Sequence, residues 1–88
     1  MKPNVIVIHP EDNVAVALKD IKSGESVSLD SRTCFPARSP IAFSHKILIK
    51  NVAAGADIIK YGEVIGQAKT DLIRGDWVHT HNLKIDEE

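Results

Sequence analysis

A chain of 88 residues with 43% hydrophobic and 26% charged side chains has room for one domain and the composition of an ordinary folded one. Its formal net charge of -1, from 11 basic and 12 acidic residues spread along the chain, argues against a nucleic-acid binder driven by backbone electrostatics. No apolar run approaches the length of a membrane span or the pattern of a secretory leader. Cys34 is the lone cysteine, so an intrachain disulfide is excluded and a reducing, cytoplasmic setting is expected.

Trp77, Tyr61, Phe35 and Phe43 are the only large aromatics, which leaves a core of Val, Ile, Leu and Ala suited to small barrels and folded-over sheets. A chain this short buries only roughly 60 to 65% of its unfolded surface. A partner subunit would therefore matter to it.

In chain order, Val5 to Ile8 is predicted as a strand, stopped by His9-Pro10 and a turn at Glu11-Asp12-Asn13. Val14 to Leu18 makes a second strand. The octet Asp20 to Val27 then introduces a pattern that returns at Asn51 to Ile58 and at Asp71 to Val78: Asp or Asn, an aliphatic residue, two variable positions, Gly, two more, an aliphatic residue. Its physical reading is a compact corner. The polar side chain caps the turn, the aliphatic residue plugs the core, Gly takes a positive φ or permits close approach, and a strand leaves. The unequal spacing argues for one domain that reuses a corner and against a solenoid.

Asp30 to Ala42 contains Pro36 and Pro40 and reads as an unpaired loop or irregular crossing strand. The central stretch, Phe43 to Gly66, holds the alternating Lys46–Lys50 strand, then Ile58-Ile59, a turn at Tyr61-Gly62-Glu63, and a strand over Val64 to Ala68. Trp77 to Leu83 is predicted as the last strand, and Lys84 to Glu88 is expected to fray. The recurring glycines leave no run long enough for a stable helix, so the expected class is all-β.

The chemistry-bearing groups are few. His79 and His81 stand two apart, which on a strand aims both imidazoles to one side with Thr80 opposite; they read as a pair able to hold a borderline metal, with His45 or His9 completing the site, or as two partly exposed histidines near a terminus. His45-Lys46 and Lys60-Tyr61 are polar pairs lodged in apolar sequence. Lysine can neutralise a carboxylate, and histidine or tyrosine can move protons; satisfied edge residues are the plainer alternative. Lys46, Lys50, Lys60 and Lys69 could form a local anion-attracting patch. Cys34 lacks a catalytic motif, Asp57, Glu63, Asp71 and Asp76 read as caps and surface charge, and Trp77 reads as packing. No phosphate-loop or dinucleotide fingerprint is present.

Taken together, HPEDNVAVAL, SHK, IIKYGEVIGQA and the D-L-I-x-G-x-W-V-H-T-H-N ending resemble the small SAF-type domain of the altronate and galactarate dehydratase family, which includes the small subunit of sulfolactate sulfo-lyase. The resemblance runs from about Val5 to Leu83 in unchanged order. It implies a β-clip over residues 1–88, ordered from about residue 4 to 84, that precedes or associates with a much larger catalytic chain. Family dehydratases remove water from sugar acids and need a divalent metal, usually iron. Carried across by motif, His9 and Asn13 fall in the first match, His45 and Lys46 in the second, Lys60 to Gly62 in the third, and His79, His81 and Asn82 in the last.

The resemblance thus implies catalytic roles for His45, His79, His81 and Tyr61 and substrate-binding roles for Lys46, Lys60, His9, Asn13 and Asn82. No metal or other cofactor is expected on this chain alone; the metal would belong to the partner. The chain departs from the family at Ser44, where glycine is common. β-Elimination beside a carboxylate needs a base, an acid for the leaving hydroxide and an electrophile for the enolate, more than this chain offers. The expected activity is therefore that of a small hydro-lyase subunit, inactive alone and joined by a larger dehydratase-like chain. A sulfo-lyase subunit and a non-catalytic module binding a carbohydrate or organic acid are the alternatives, and a homo-oligomer is compatible with either.

Overall fold

The computed structural model describes residues 2–85, and the acidic end expected to fray lies in part outside them, at residues 86–88. Nine short strands and no helix are found among the described residues: β1 Val5–Ile6, β2 Val14–Ala17, β3 Ser26–Ser28, β4 Cys34–Pro36, β5 Lys46–Leu48, β6 Asp57–Lys60, β7 Glu63–Ala68, β8 Trp77–Val78 and β9 Leu83–Lys84. All pairings are antiparallel, in three sheets ordered β1-β2-β5-β8, β3-β4 and β6-β7-β9. The class is the expected all-β one, consistent with a SAF-type β-clip.

The corner octet occurs four times. Besides the three visible in the sequence, Pro40 to Ile47 takes the same bridge, turn and strand pattern. Corner residues at the fifth position are Gly24 (φ 83°), Ser44 (φ 71°), Gly55 (φ 85°) and Gly75 (φ 102°), all left-handed. Each corner is closed by one backbone bond, donated by Glu25, His45, Ala56 and Asp76 to Lys22, Ala42, Ala53 and Ile73 respectively. Ser44 is thus the glycine position of a corner, filled by a residue with a Cβ.

Corners work in pairs. Ile21 and Ile41 exchange both backbone hydrogen bonds at 2.8 Å, and Val52 and Leu72 do the same at 2.9 Å. The capping side chains reach across the pair and not into their own turn: the Asp20 carboxylate accepts from Phe43 N–H, Asn51 from Arg74 N–H, and Asp71 from Ala54 N–H, each at 2.8 Å. The Pro40 ring carries no acceptor to return the fourth bond.

Each pair of corners roofs its own core. Ile21, Val27, Ile41 and Ile47 join Val5, Ala15, Ala17, Phe35 and Ala37 in the first; Ile58, Leu72 and Val78, with half-buried Val52, join Val14, Leu48, Ala68 and Leu83 in the second. The sheet β1-β2-β5-β8 lies between them, since neighbours along β2 and β5 point to opposite faces: Ala15 and Ile47 face one core, Val14 and Leu48 the other.

The structure corrects three sequence readings. Residues 34–36 are not an unpaired loop but a short strand paired with β3, because Pro36 sits at the end of the ladder, opposite Ser26. The strands predicted at 5–8, 14–18 and 46–50 are shorter, ending at Ile6, Ala17 and Leu48. The predicted strand from Trp77 to Leu83 breaks after Val78 into a turn, in which Asn82 N–H and Leu83 N–H both reach His79 C=O, and only β9 resumes the sheet. At the β6–β7 hairpin, Tyr61 (φ 57°) and Gly62 (φ 76°) form the two-residue left-handed turn that suits twisted strands.

Gly75 and Ser44 give opposite mutational expectations. A Cβ on Gly75 would lie 2.5 Å from Pro36 C=O, so Gly75→Ala meets both a clash and left-handed strain and should cost at least about 2 kcal/mol. Ser44→Gly relieves strain of about 1 to 2 kcal/mol, less about 0.5 to 1 kcal/mol of unfolded-state entropy, and should leave stability equal or slightly raised. Urea midpoints of both variants against the parent check this pair.

Candidate functional site

β5 and β8 bring His45 and Trp77 side by side. Ile47 and Trp77 are register partners, and His45, two residues before Ile47, falls on the same face. The Trp77 indole N–H donates to His45 Nδ1 at 3.2 Å. The two rings stack with centroids 5.8 Å apart, His79 lies flat against Trp77 at 4.9 Å and against His45 at 5.7 Å, and His81 tilts over Trp77 at 5.1 Å. Three of the sequence-predicted residues therefore converge on one indole.

They converge by a different route from the one expected. His79 and His81 do not share a strand face; the turn after Val78 wraps them around Trp77. Asn82 holds that turn: its Oδ1 accepts from His79 N–H at 3.0 Å and its amide donates to Trp77 C=O at 2.7 Å. Asn13 makes the same clamp on β6, accepting from Ile59 N–H and donating to Asp57 C=O, and Asn4 makes it on β3 with Ser28 and Ser26. Asn13 and Asn82 are buried with oxygen and amide both occupied by backbone. Their side chains shape the strands that carry the histidines and lysines.

His9, Lys46, Lys60 and Tyr61 form a second group. Lys46 lies across from Val78, on the second-core face of the sheet, and burial, with Lys60 nearby, pushes its ammonium below the ordinary lysine value. Lys60 Nζ rests 4.8 Å from the centre of the Tyr61 ring. The His9 ring covers Gly62 so closely that a Cβ there would stand 3.0 Å from it. Buried Asp12 ties these loops together, accepting from Gly62 N–H at 2.8 Å and from His9 N–H at 3.1 Å. Desolvation alone would raise its carboxyl; the backbone donors of Gly62, Tyr61 and His9, with the His9 ring, outweigh that and hold it below its ordinary 3.8.

Sequence reasoning missed two residues. Trp77, read as packing, is half-buried against the first core and also the hydrogen-bond partner of His45. Asp12, read as a turn former, is the buried link between the two loops of the lysine group. For Trp77 a signal existed: residues 40–47 stand 31 positions before residues 71–78, as residues 20–27 do before 51–58, and that offset makes the corner that holds His45 equivalent to the one that holds Trp77.

The histidines do not make a metal cage. His45 Nδ1 is engaged by the indole. Among the described residues no group of three His, Cys, Asp or Glu side chains is arranged to hold a metal ion. What the cluster offers is donors and acceptors for protons beside a groove of about 490 Å³ lined by His45, Trp77, Ile21, Pro40, Ile41 and Ala42, among others.

A family model described as the altronate/galactarate dehydratase SAF domain matches residues 3–86. The chain belongs to that family. Altronate dehydratase of Escherichia coli (strain K12) is 46% identical over 79 residues, which are 90% of this chain and 16% of that protein. Galactarate dehydratase (L-threo-forming) of the same organism is 35% identical over 83% of this chain and 14% of its own length. The chain thus spans about a sixth of the dehydratases it matches. By contrast, the (2R)-sulfolactate sulfo-lyase subunit alpha of Chromohalobacter salexigens, 27% identical, is matched over 90% of its length. No helix of the described residues is long and apolar enough to cross a membrane.

Asp12 yields a pH prediction. Because its folded value lies below the ordinary one, the ionised carboxylate stabilises the fold fully above about pH 4, and that contribution fades as pH falls through the lowered folded value. Asp12→Asn should lower the urea midpoint at neutral pH, and its gap from the parent should close as the solution is taken below about pH 4.

Proposed function

We propose that this chain is the small subunit of a sugar-acid hydro-lyase of the altronate/galactarate type, inactive alone and completed by a larger catalytic chain. The observation that carries the reading is the His45–Trp77–His79–His81 stack: imidazoles held in fixed geometry at the surface, in a chain whose 46% identity is to an altronate dehydratase. Elimination of water beside a carboxylate needs proton donation to the departing hydroxyl and a fixed carboxylate. His45, His79 and His81 would serve the first need. Lys46 and Lys60, crowded together with lowered ammonium stability at Lys46, would gain from a bound anion and serve the second, with His9 and Tyr61 beside them.

The larger chain would hold the divalent metal, iron by family resemblance, that polarises the substrate, and would supply the principal base. A second reading has its own observation: the sulfo-lyase subunit alpha is matched over 90% of its length, which allows sulfite as the leaving group. In either case the groups here would bind, orient and move protons.

The test is co-purification with the large chain, followed by sugar-acid dehydration and sulfite-release assays of each component and the mixture. Activity should appear only in the mixture, and His79→Ala or His45→Ala should lower its kcat by about 100-fold or more, within the range for losing a general acid or base. Full activity of the large chain alone, unchanged on addition of this one, would refute the proposal.

A further inference from the structure

We infer that Trp77 is a positioning residue that fixes the protonation form in which His45 meets its substrate. An indole nitrogen can only donate. Its 3.2 Å bond therefore requires a lone pair on His45 Nδ1, which leaves the imidazole proton on Nε2. His45 is thus presented as a hydrogen-bond donor through Nε2, and protonating Nδ1 means breaking the indole bond. Centroid separations of 5.8 Å to His45, 4.9 Å to His79 and 5.7 Å between the two imidazoles set the indole and both rings in a near-equilateral, nearly parallel triangle. Packing of Trp77 against the first core fixes where the indole plane lies. The Asn82 amide bond to Trp77 C=O anchors the same residue through its backbone.

This deepens the proposed function, on which its catalytic part rests. A neutral imidazole held with its proton on Nε2 suits hydrogen-bond donation to a carboxylate or to the charge developing on a departing hydroxyl oxygen, its proton staying on Nε2, and cannot open the reaction as the base that takes the α-proton through that nitrogen. Of the three histidines His45 alone accepts an indole bond, so the donor role falls to it.

Two measurements separate the geometry from the activity. In the uniformly ¹⁵N-labelled chain at mildly alkaline pH, a scalar coupling across the hydrogen bond between Trp77 Nε1 and His45 Nδ1 is expected, with the nonprotonated imidazole resonance assigned to Nδ1. It should vanish when position 77 carries benzothienylalanine, which keeps the bicyclic shape and lacks the N–H. A proton found on His45 Nδ1, or no coupling in the parent, would overturn the inference whatever the enzyme does.

In the reconstituted complex, Trp77→Phe and the benzothienylalanine variant should each lower kcat about tenfold, the worth of one directing hydrogen bond, and should cost nothing further in a His45→Ala background. An equal loss in that background would show that Trp77 acts on the fold and not through His45. A complex indifferent to this chain, with the coupling present, would remove the catalytic role and leave the tautomer assignment standing.

Discussion

Everything in this molecule hangs on the reciprocal backbone pairing of corners. Two residues, Ile21 and Ile41, exchange both hydrogen bonds, and Val52 and Leu72 repeat the exchange. Each exchange places two aliphatic side chains together over a core and sends two strands away from it. The four-stranded sheet then joins the two cores, pairing Val14 with Leu48 and Lys46 with Val78. The left-handed residue that follows each bridge is what lets the strand leave at the required angle, and four corners use it with only three glycines. Ser44 keeps the conformation against its own preference, which shows that the surrounding bonds, including Ser44 N–H to Ala17 C=O, dictate the geometry.

The two halves are related by an offset of 31 positions, and the differences between them are where chemistry is concentrated. The first half has Phe35 to fill its core where the second has Gly66, whose missing side chain admits the β9 backbone at Lys84. Lys46 in one half corresponds to Trp77 in the other, and these residues sit on neighbouring strands at the seam where β5 meets β8. The histidine cluster forms at that seam, with His45 supplied by the half-one corner and His79 by the turn that ends half two. Neither half could build it alone.

The sequence shows the all-β class and the glycine corners, because periodicity and punctuation report local structure directly. Other features were concealed by particular residues. Pro40 and Ser44 stand where the other corners have an acidic or amide residue and glycine, so the fourth copy lacks its two most visible marks. Trp77 to Leu83 alternates like a strand, yet the Asn82 side chain occupies the His79 N–H that a continued ladder would need. Asn4, Asn13 and Asn82 are scattered in sequence and share one clamp, a relation that depends on which strand each meets in space. Pairing across distance leaves little trace in one sequence.

A shallow site imposes a condition on the proposed chemistry. His45 and His79 are half-exposed and His81 is exposed, so in the isolated chain water competes for their protons and screens the field of Lys46 and Lys60. Preorganised donors act strongly only where water is excluded. The fold has already fixed ring positions by stacking, by the indole bond and by the asparagine clamp; what it lacks is a cover. On the proposed function, the larger chain supplies that cover along with its own groups, and the small one supplies imidazoles whose orientation is settled before the two meet. Less side-chain freedom then remains to be lost on assembly, which is the advantage of carrying proton donors on a stiff β-clip and not on a loop of the partner.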